Sequence, residues 1–150
     1  MLQKITPCLW FDTNAKEAVE YYVSVFPNSK IVDIQHYPTE GLLDFQKPMA
    51  GEVLVVDFEL DGQKFTSLNG GPDFKFTEAV SFVIECRDQQ EIDYYWDKLS
   101  KVPESEQCGW CKDQFGLSWQ VIPENLNELM QRPNAYAHMM QMHKLVVADF

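Results

Sequence analysis

Residues 17–26 read EAVEYYVSVF and residues 90–99 read QEIDYYWDKL, so one acidic-Tyr-Tyr core occurs twice at an offset of 73 residues. Self-similarity on this scale signals a repeated supersecondary unit. In the first copy Ala18, Tyr21, Tyr22 and Val25 recur at helical spacing, as do Ile92, Tyr95, Trp96 and Leu99 in the second, which predicts two amphipathic helices. Each helix is entered from an apolar run, ITPCLWFD before the first and AVSFVIECRD before the second, with Asp12, Asn14 and Asp88 placed as N-caps.

After the first helix, Pro27-Asn28 ends the pattern, and KIVDIQHYP, GEVLVVDFEL and QKFTSLN follow as strands, the last two joined by an Asp61-Gly62 hairpin turn. After the second come QCGWCKD and GLSWQVIP, separated by a turn at Gln114 to Gly116. The module is therefore strand, helix, then two or three strands, used twice. Module one covers about residues 1–70, a linker 70–78, module two 79–123 and a helical tail 124–150, where Pro133 is expected to begin a second tail helix. The segment SLNGGPDFKF, residues 67–76, looks like a phosphate-cradling glycine loop, but such a loop feeds a helix and this one precedes a strand, so its glycines are assigned to linker geometry.

An apolar share of 45% against 23% charged residues is that of a folded globular chain. Twenty-three acidic against 12 basic residues leave a net charge of −11, which repels phosphate backbones and anionic lipid, so nucleic acid and membrane surface are excluded as partners. MLQKITPCLW runs directly into a strand pattern without the apolar core and cleavage site of a secretory signal. No apolar run approaches the ~18 residues of a membrane-crossing helix. The expectation is a cytoplasmic protein in which Cys8, Cys86, Cys108 and Cys111 are free thiols.

The tandem module, and ITPCLWFDTNAKEAVEYYVSVFPNSKI, FTSLNGGPDFKFTEAVSFVIEC and CGWCKDQFGLSWQVIP in that order, resemble the vicinal oxygen chelate superfamily (glyoxalase I, bleomycin-resistance proteins, extradiol dioxygenases). Within it the chain is most similar to the PhnB-like group often labelled 3-demethylubiquinone-9 3-methyltransferase. The resemblance implies an α+β fold in which two βαβββ modules form a curved mixed sheet around a ligand cavity, helices on the convex side, and a homodimer. In metal-using members the first and last strands of each module supply His, Gln or Glu ligands; the matching positions here are Thr6, Asn69, Ser81 and Gln120. Neutral hydroxyl and amide oxygens are poor ligands for such ions, so neither metal nor other cofactor is expected. His36, His138 and His143 lack the i, i+4 spacing of a shared site, and the single Cys108-Gly-Trp-Cys111 pair falls short of a zinc or redox motif.

Strand parity then describes a cavity wall. If Thr6 faces the cavity, so do Cys8 and Trp10; if Ser81 does, so do Val83 and Glu85, with Trp110, Ser118 and Gln120 on the same wall as Asn69. Aromatic surface with a few polar groups suits a small organic ligand. Glu85 is the one acid, a candidate general base if burial raises its pKa. The leading reading is a small-molecule binder without a tightly held metal; the alternatives are a metal-dependent lyase, isomerase or dioxygenase, and an interaction protein whose tail from Asn125 to Phe150 covers the sheet or a partner. Methyl transfer is disfavoured, because no glycine-rich strand-to-helix turn for a methyl donor is present.

Overall fold

The computed structural model describes residues 3–150, and these fall into two compact units that divide after Lys75. In the first, β1 (Cys8–Phe11) leads into α1 (Ala15–Val25), followed by β2 (Lys30–His36), β3 (Val53–Leu60) and β4 (Gln63–Asn69). The sheet order is β1-β4-β3-β2, with β1 parallel to β4 and the other pairs antiparallel. Alternation sorts the side chains as a two-period predicts: Leu9, Phe11, Val56, Phe58, Leu60 and Phe65 are buried. Helix α1 packs on this side of β3, β2 and β4 and buries Ala15, Ala18, Val19, Tyr22 and Val25. Each large side chain so buried contributes roughly 1.5–3 kcal/mol relative to leaving it in water.

Two local features fix this unit. Asp61 (φ 49°) and Gly62 (φ 81°) make the β3–β4 turn with both residues left-handed, the combination a two-residue hairpin of this hand requires. The long β2–β3 connection carries an unanticipated 3-10 helix at Asp44–Met49. Its base is closed by Tyr37 N donating to Glu52 O (2.8 Å) and Gly51 N donating to Tyr37 O (3.2 Å).

The second unit repeats the logic with one strand fewer: β5 (Ser81–Cys86), α2 (Gln89–Leu99), β6 (Trp110–Lys112) and β7 (Ser118–Pro123), in the order β5-β7-β6. First and last strands again run parallel across a helical crossover. Asp88 caps α2 as expected, its side chain accepting from Glu91 N at 2.9 Å. No described strand of this unit matches β2; Lys101 N donates to Lys112 O instead, and Gln107 bridges to Trp110.

The tail continues as α3 (Leu126–Leu129) and α4 (Ala135–Met140). Pro133 does not begin α4: the helix starts two residues later, after Asn134 at φ 60°, a left-handed turn that asparagine tolerates. Leu129, Ala135, Leu145 and Phe150 form the tail's core, with Met139 and Met142 packed against it. Cys108 N donates to Met142 O (2.7 Å) and Gly109 N to His143 O (2.8 Å), which ties the tail to the start of β6. No described helix is long and apolar enough to cross a membrane.

Candidate functional site

In each sheet the helix takes one face, and the opposite face carries most of the expected site residues; Asn69 instead shares the α1 face with Phe11 and Ser67, and Thr6 precedes the strands. On the first unit the face away from α1 is ordered by register into rows: Trp10, Leu68 and Val55 in one, Cys8, Thr66 and Asp57 in the next, with Asp33 of β2 directly opposite Asp57. Cys8 and Trp10 thus share a face, as parity predicts. Thr6 lies before β1 and is exposed. Partial burial, and then the charge of Asp57, hold the Cys8 thiol above its ordinary range.

Trp10 is held by the segment SLNGGPDFKF. Its indole Nε1 donates to Gly71 O at 2.9 Å, and the Phe74 ring meets it edge-on at 4.9 Å. A Cβ on Gly70 would lie 2.3 Å from the indole Cη2 and Cζ2, so only glycine admits the ring. Gly71 sits at φ 103°, a conformation other residues rarely adopt. The glycines assigned to the linker are therefore also the seat of Trp10. Beside the indole is a pocket of about 460 Å³ lined by Tyr37, Leu42, Phe45, Leu54 and Leu68.

Asn69 has a different task. Its Oδ1 accepts from Ala15 N at 2.9 Å and its Nδ2 donates to Val53 O at 3.1 Å, while Tyr37 Oη donates to the Asn69 carbonyl at 2.6 Å. The amide serves as the N-cap of α1, where Asn14 makes no side-chain capping bond.

On the second unit, Ser81, Ser118 and Lys112 form one cross-strand row and Val83, Gln120 and Trp110 the next. All six expected residues, Glu85 included, share the face away from α2 by register. Gln120 Nε2 donates to Ser81 Oγ at 2.9 Å. Ser118 Oγ is buried and has no hydrogen-bond partner among the described residues. Lys112 pairs with Glu78 and holds that carboxyl below its ordinary range. Glu85 is exposed, without the burial that the general-base role called for.

These donors do not fit the metal ion that the resemblance to chelating proteins implied. Asn69 is spent on the α1 cap, Gln120 and Ser81 are joined to each other, and no group of three or more His, Cys, Asp or Glu among the described residues is placed to hold an ion. His36, His138 and His143 are exposed. Cys111 is pushed up to about 12 by burial and then by Asp113 and Glu106, and Cys86 to about 12 by burial and then by Glu91 and Asp88. Thiols so held are poor nucleophiles at neutral pH.

Sequence reasoning missed Asp113. It is buried, its Oδ1 accepts from Phe115 N (2.8 Å) and Leu117 N (3.1 Å), and its Oδ2 accepts from Trp119 Nε1 (2.9 Å). The turn DQFG carried the signal, because aspartate ahead of a left-handed glycine is typical of side-chain-closed turns.

Two strand-helix-strand repeats with mixed sheets, each with its helix on one face, define a glyoxalase-like α+β protein of the PhnB-like kind. The chain belongs to the 3-demethylubiquinone-9 3-methyltransferase family, whose model matches residues 3–122. It is similar to a putative 3-demethylubiquinone-9 3-methyltransferase, PhnB protein, from Bacillus cereus: 34% identity over 80% of this chain and 99% of that one, TM-score 0.64. A Pseudomonas aeruginosa protein of known crystal structure shares the fold at 14% identity, with 81% of this chain and 98% of that one covered and a TM-score of 0.63. No curated protein matches.

Proposed function

We propose that this protein binds a small organic molecule, with an aromatic or aliphatic body, in the pocket beside Trp10, and that it does so without a metal ion. The pocket of about 460 Å³ beside an indole fixed at both its nitrogen and its edge carries this reading. Its volume lies in the usual small-molecule range of roughly 300–1,000 Å³ and its lining is mostly apolar. A preset aromatic wall lowers the ordering cost of binding. Within the second unit the face bearing Ser81, Val83, Trp110, Ser118 and Gln120 is a further ligand surface in this reading, with Glu85 a base only for a ligand that buries it. Cytoplasmic location and a homodimer belong to the same proposal.

Methyl transfer is not part of it, despite the family's label. The two strand-to-helix turns, residues 12–14 and 87–88, contain no glycine, whereas a methyl donor is usually held where a glycine-rich turn opens a helix. Metal-dependent chemistry is set aside on the donor set.

The test is titration of chelator-treated protein with neutral 2-naphthaleneethanol, followed by tryptophan fluorescence and calorimetry. Saturable binding that Trp10→Ala weakens at least about tenfold, a loss of ~1.4 kcal/mol, is expected. Binding indifferent to Trp10, or restored only by zinc, nickel or manganese, overturns the reading.

A further inference from the structure

Ser118 Oγ is buried and makes no hydrogen bond among the described residues. A hydroxyl so placed has given up water without replacing it, which costs free energy that a bound acceptor would return. The residues in register with it are donors. β7 is the central strand, and on it Ser118 stands opposite Ser81 of β5 and Lys112 of β6, all three on the face away from α2. Gln120 Nε2 donates to Ser81 Oγ at 2.9 Å, so Ser81 keeps its own O–H proton for another acceptor. Two hydroxyls on strands about 4.8 Å apart, with an ammonium on the strand beyond, thus form one row of donors. Glu78 stands just ahead of β5, and its ion pair with Lys112 reaches the opposite edge strand, so the pair crosses β7 at the Ser118 end. The Lys112 side chain is 23% exposed and that of Glu78 62%, which makes the carboxylate the looser half of the pair.

We propose that the row Ser81, Ser118 and Lys112 is a subsite for the carboxylate of an aryl carboxylate ligand, and that Glu78 holds Lys112 in that carboxylate's place. This rests on the reading of the second unit's face as a ligand surface and adds the ligand's chemical class. The ligand displaces Glu78 from Lys112, uncovers Ser118 and accepts from both serine hydroxyls. Its ring lies along the next row, Val83, Gln120 and Trp110, where Val83 is 51% exposed and offers apolar surface. An ion pair with one exposed partner contributes little to stability, so hydroxyl bonds to a charged acceptor offset its loss. The net charge of −11 repels anions from a distance, but at physiological salt that field is screened beyond about 8 Å, and the donors of the row decide.

The test titrates 2-naphthylacetate and its uncharged amide, 2-naphthylacetamide, into the full chain by calorimetry at about 0.15 M salt, with 2-naphthaleneethanol alongside. The carboxylate is expected to bind roughly five- to tenfold more tightly than the amide. Lys112→Met and Ser118→Ala should each remove most of that margin, and Ser118→Ala should melt no lower than the unaltered chain, because it deletes an unsatisfied hydroxyl. Glu78→Gln should widen the margin about two- to fivefold, since it frees Lys112 from its resident carboxylate; residues with a merely structural role would not answer in opposite directions. No margin for the carboxylate, a margin that these variants leave unchanged, or one that Glu78→Gln narrows overturns the proposal. Naphthaleneethanol binding that depends on Trp10 then leaves the first pocket standing. A carboxylate margin that follows the three variants, with alcohol binding indifferent to Trp10, overturns that pocket and leaves this row standing.

Discussion

Gly70 and Trp10 are far apart in sequence, yet neither position is chemically intelligible without the other. The indole occupies the volume that any side chain on residue 70 would need. Gly70→Ala therefore forces the ring out, breaks the Nε1 bond to Gly71 and opens the contact with Phe74. Overpacking of this sort costs about 1–3 kcal/mol, so the urea midpoint should fall, and naphthaleneethanol binding should weaken as it does in Trp10→Ala. An unchanged midpoint with full binding would mean that the ring has a second comfortable position. Asn69, next along, shows why residue type and parity alone mislead about roles. The resemblance drawn from the sequence put it at a metal-ligand position, but the backbone amide it satisfies belongs to Ala15, 54 residues away.

At the scale of elements, much was legible. The duplicated Tyr-Tyr helices, the strands around them and the Asp61-Gly62 turn follow from periodicity and turn chemistry, which are local. Parity also placed Cys8 with Trp10, and Ser81, Val83 and Glu85 with Ser118, Gln120 and Trp110, because a strand's alternation is geometry and not context. What escaped was the 3-10 helix at Asp44–Met49, in a connection closed at its base through Tyr37, and the α4 start, shifted to Ala135 behind the left-handed Asn134. Asp113 is a local feature that was overlooked: it closes the β6–β7 connection by accepting three N–H groups from residues two to six positions ahead, in a buried place. Asp113→Asn would turn an amide donor toward one of these N–H groups. A buried unsatisfied pair costs roughly 1–3 kcal/mol, and urea unfolding followed at Trp119 should show a loss of that size. A midpoint equal to wild type would show that the turn holds without the carboxylate.

For the whole molecule, buried thiols set an alkaline limit. Cys86 and Cys111 are held near 12 when folded against an ordinary 9.0, so the native state keeps two neutral thiols that the unfolded chain ionises first. Below pH 9 both states are protonated and their contribution to stability is intact; as pH climbs from 9 towards 12 the unfolded chain sheds protons that the native one retains, and stability falls. Thermal melts across that window should drop steadily, and Cys86→Ser/Cys111→Ser should remove most of the slope; a slope unaltered by the double variant would assign it to other groups. The fixing of the two indole nitrogens has its own use. Trp10 Nε1 rests on a carbonyl in one unit and Trp119 Nε1 on a carboxylate in the other. Each half thus has a hydrogen-bonded indole proton, and in a magnetic resonance spectrum the sequence in which those two signals fade on warming is a clock for which half opens first.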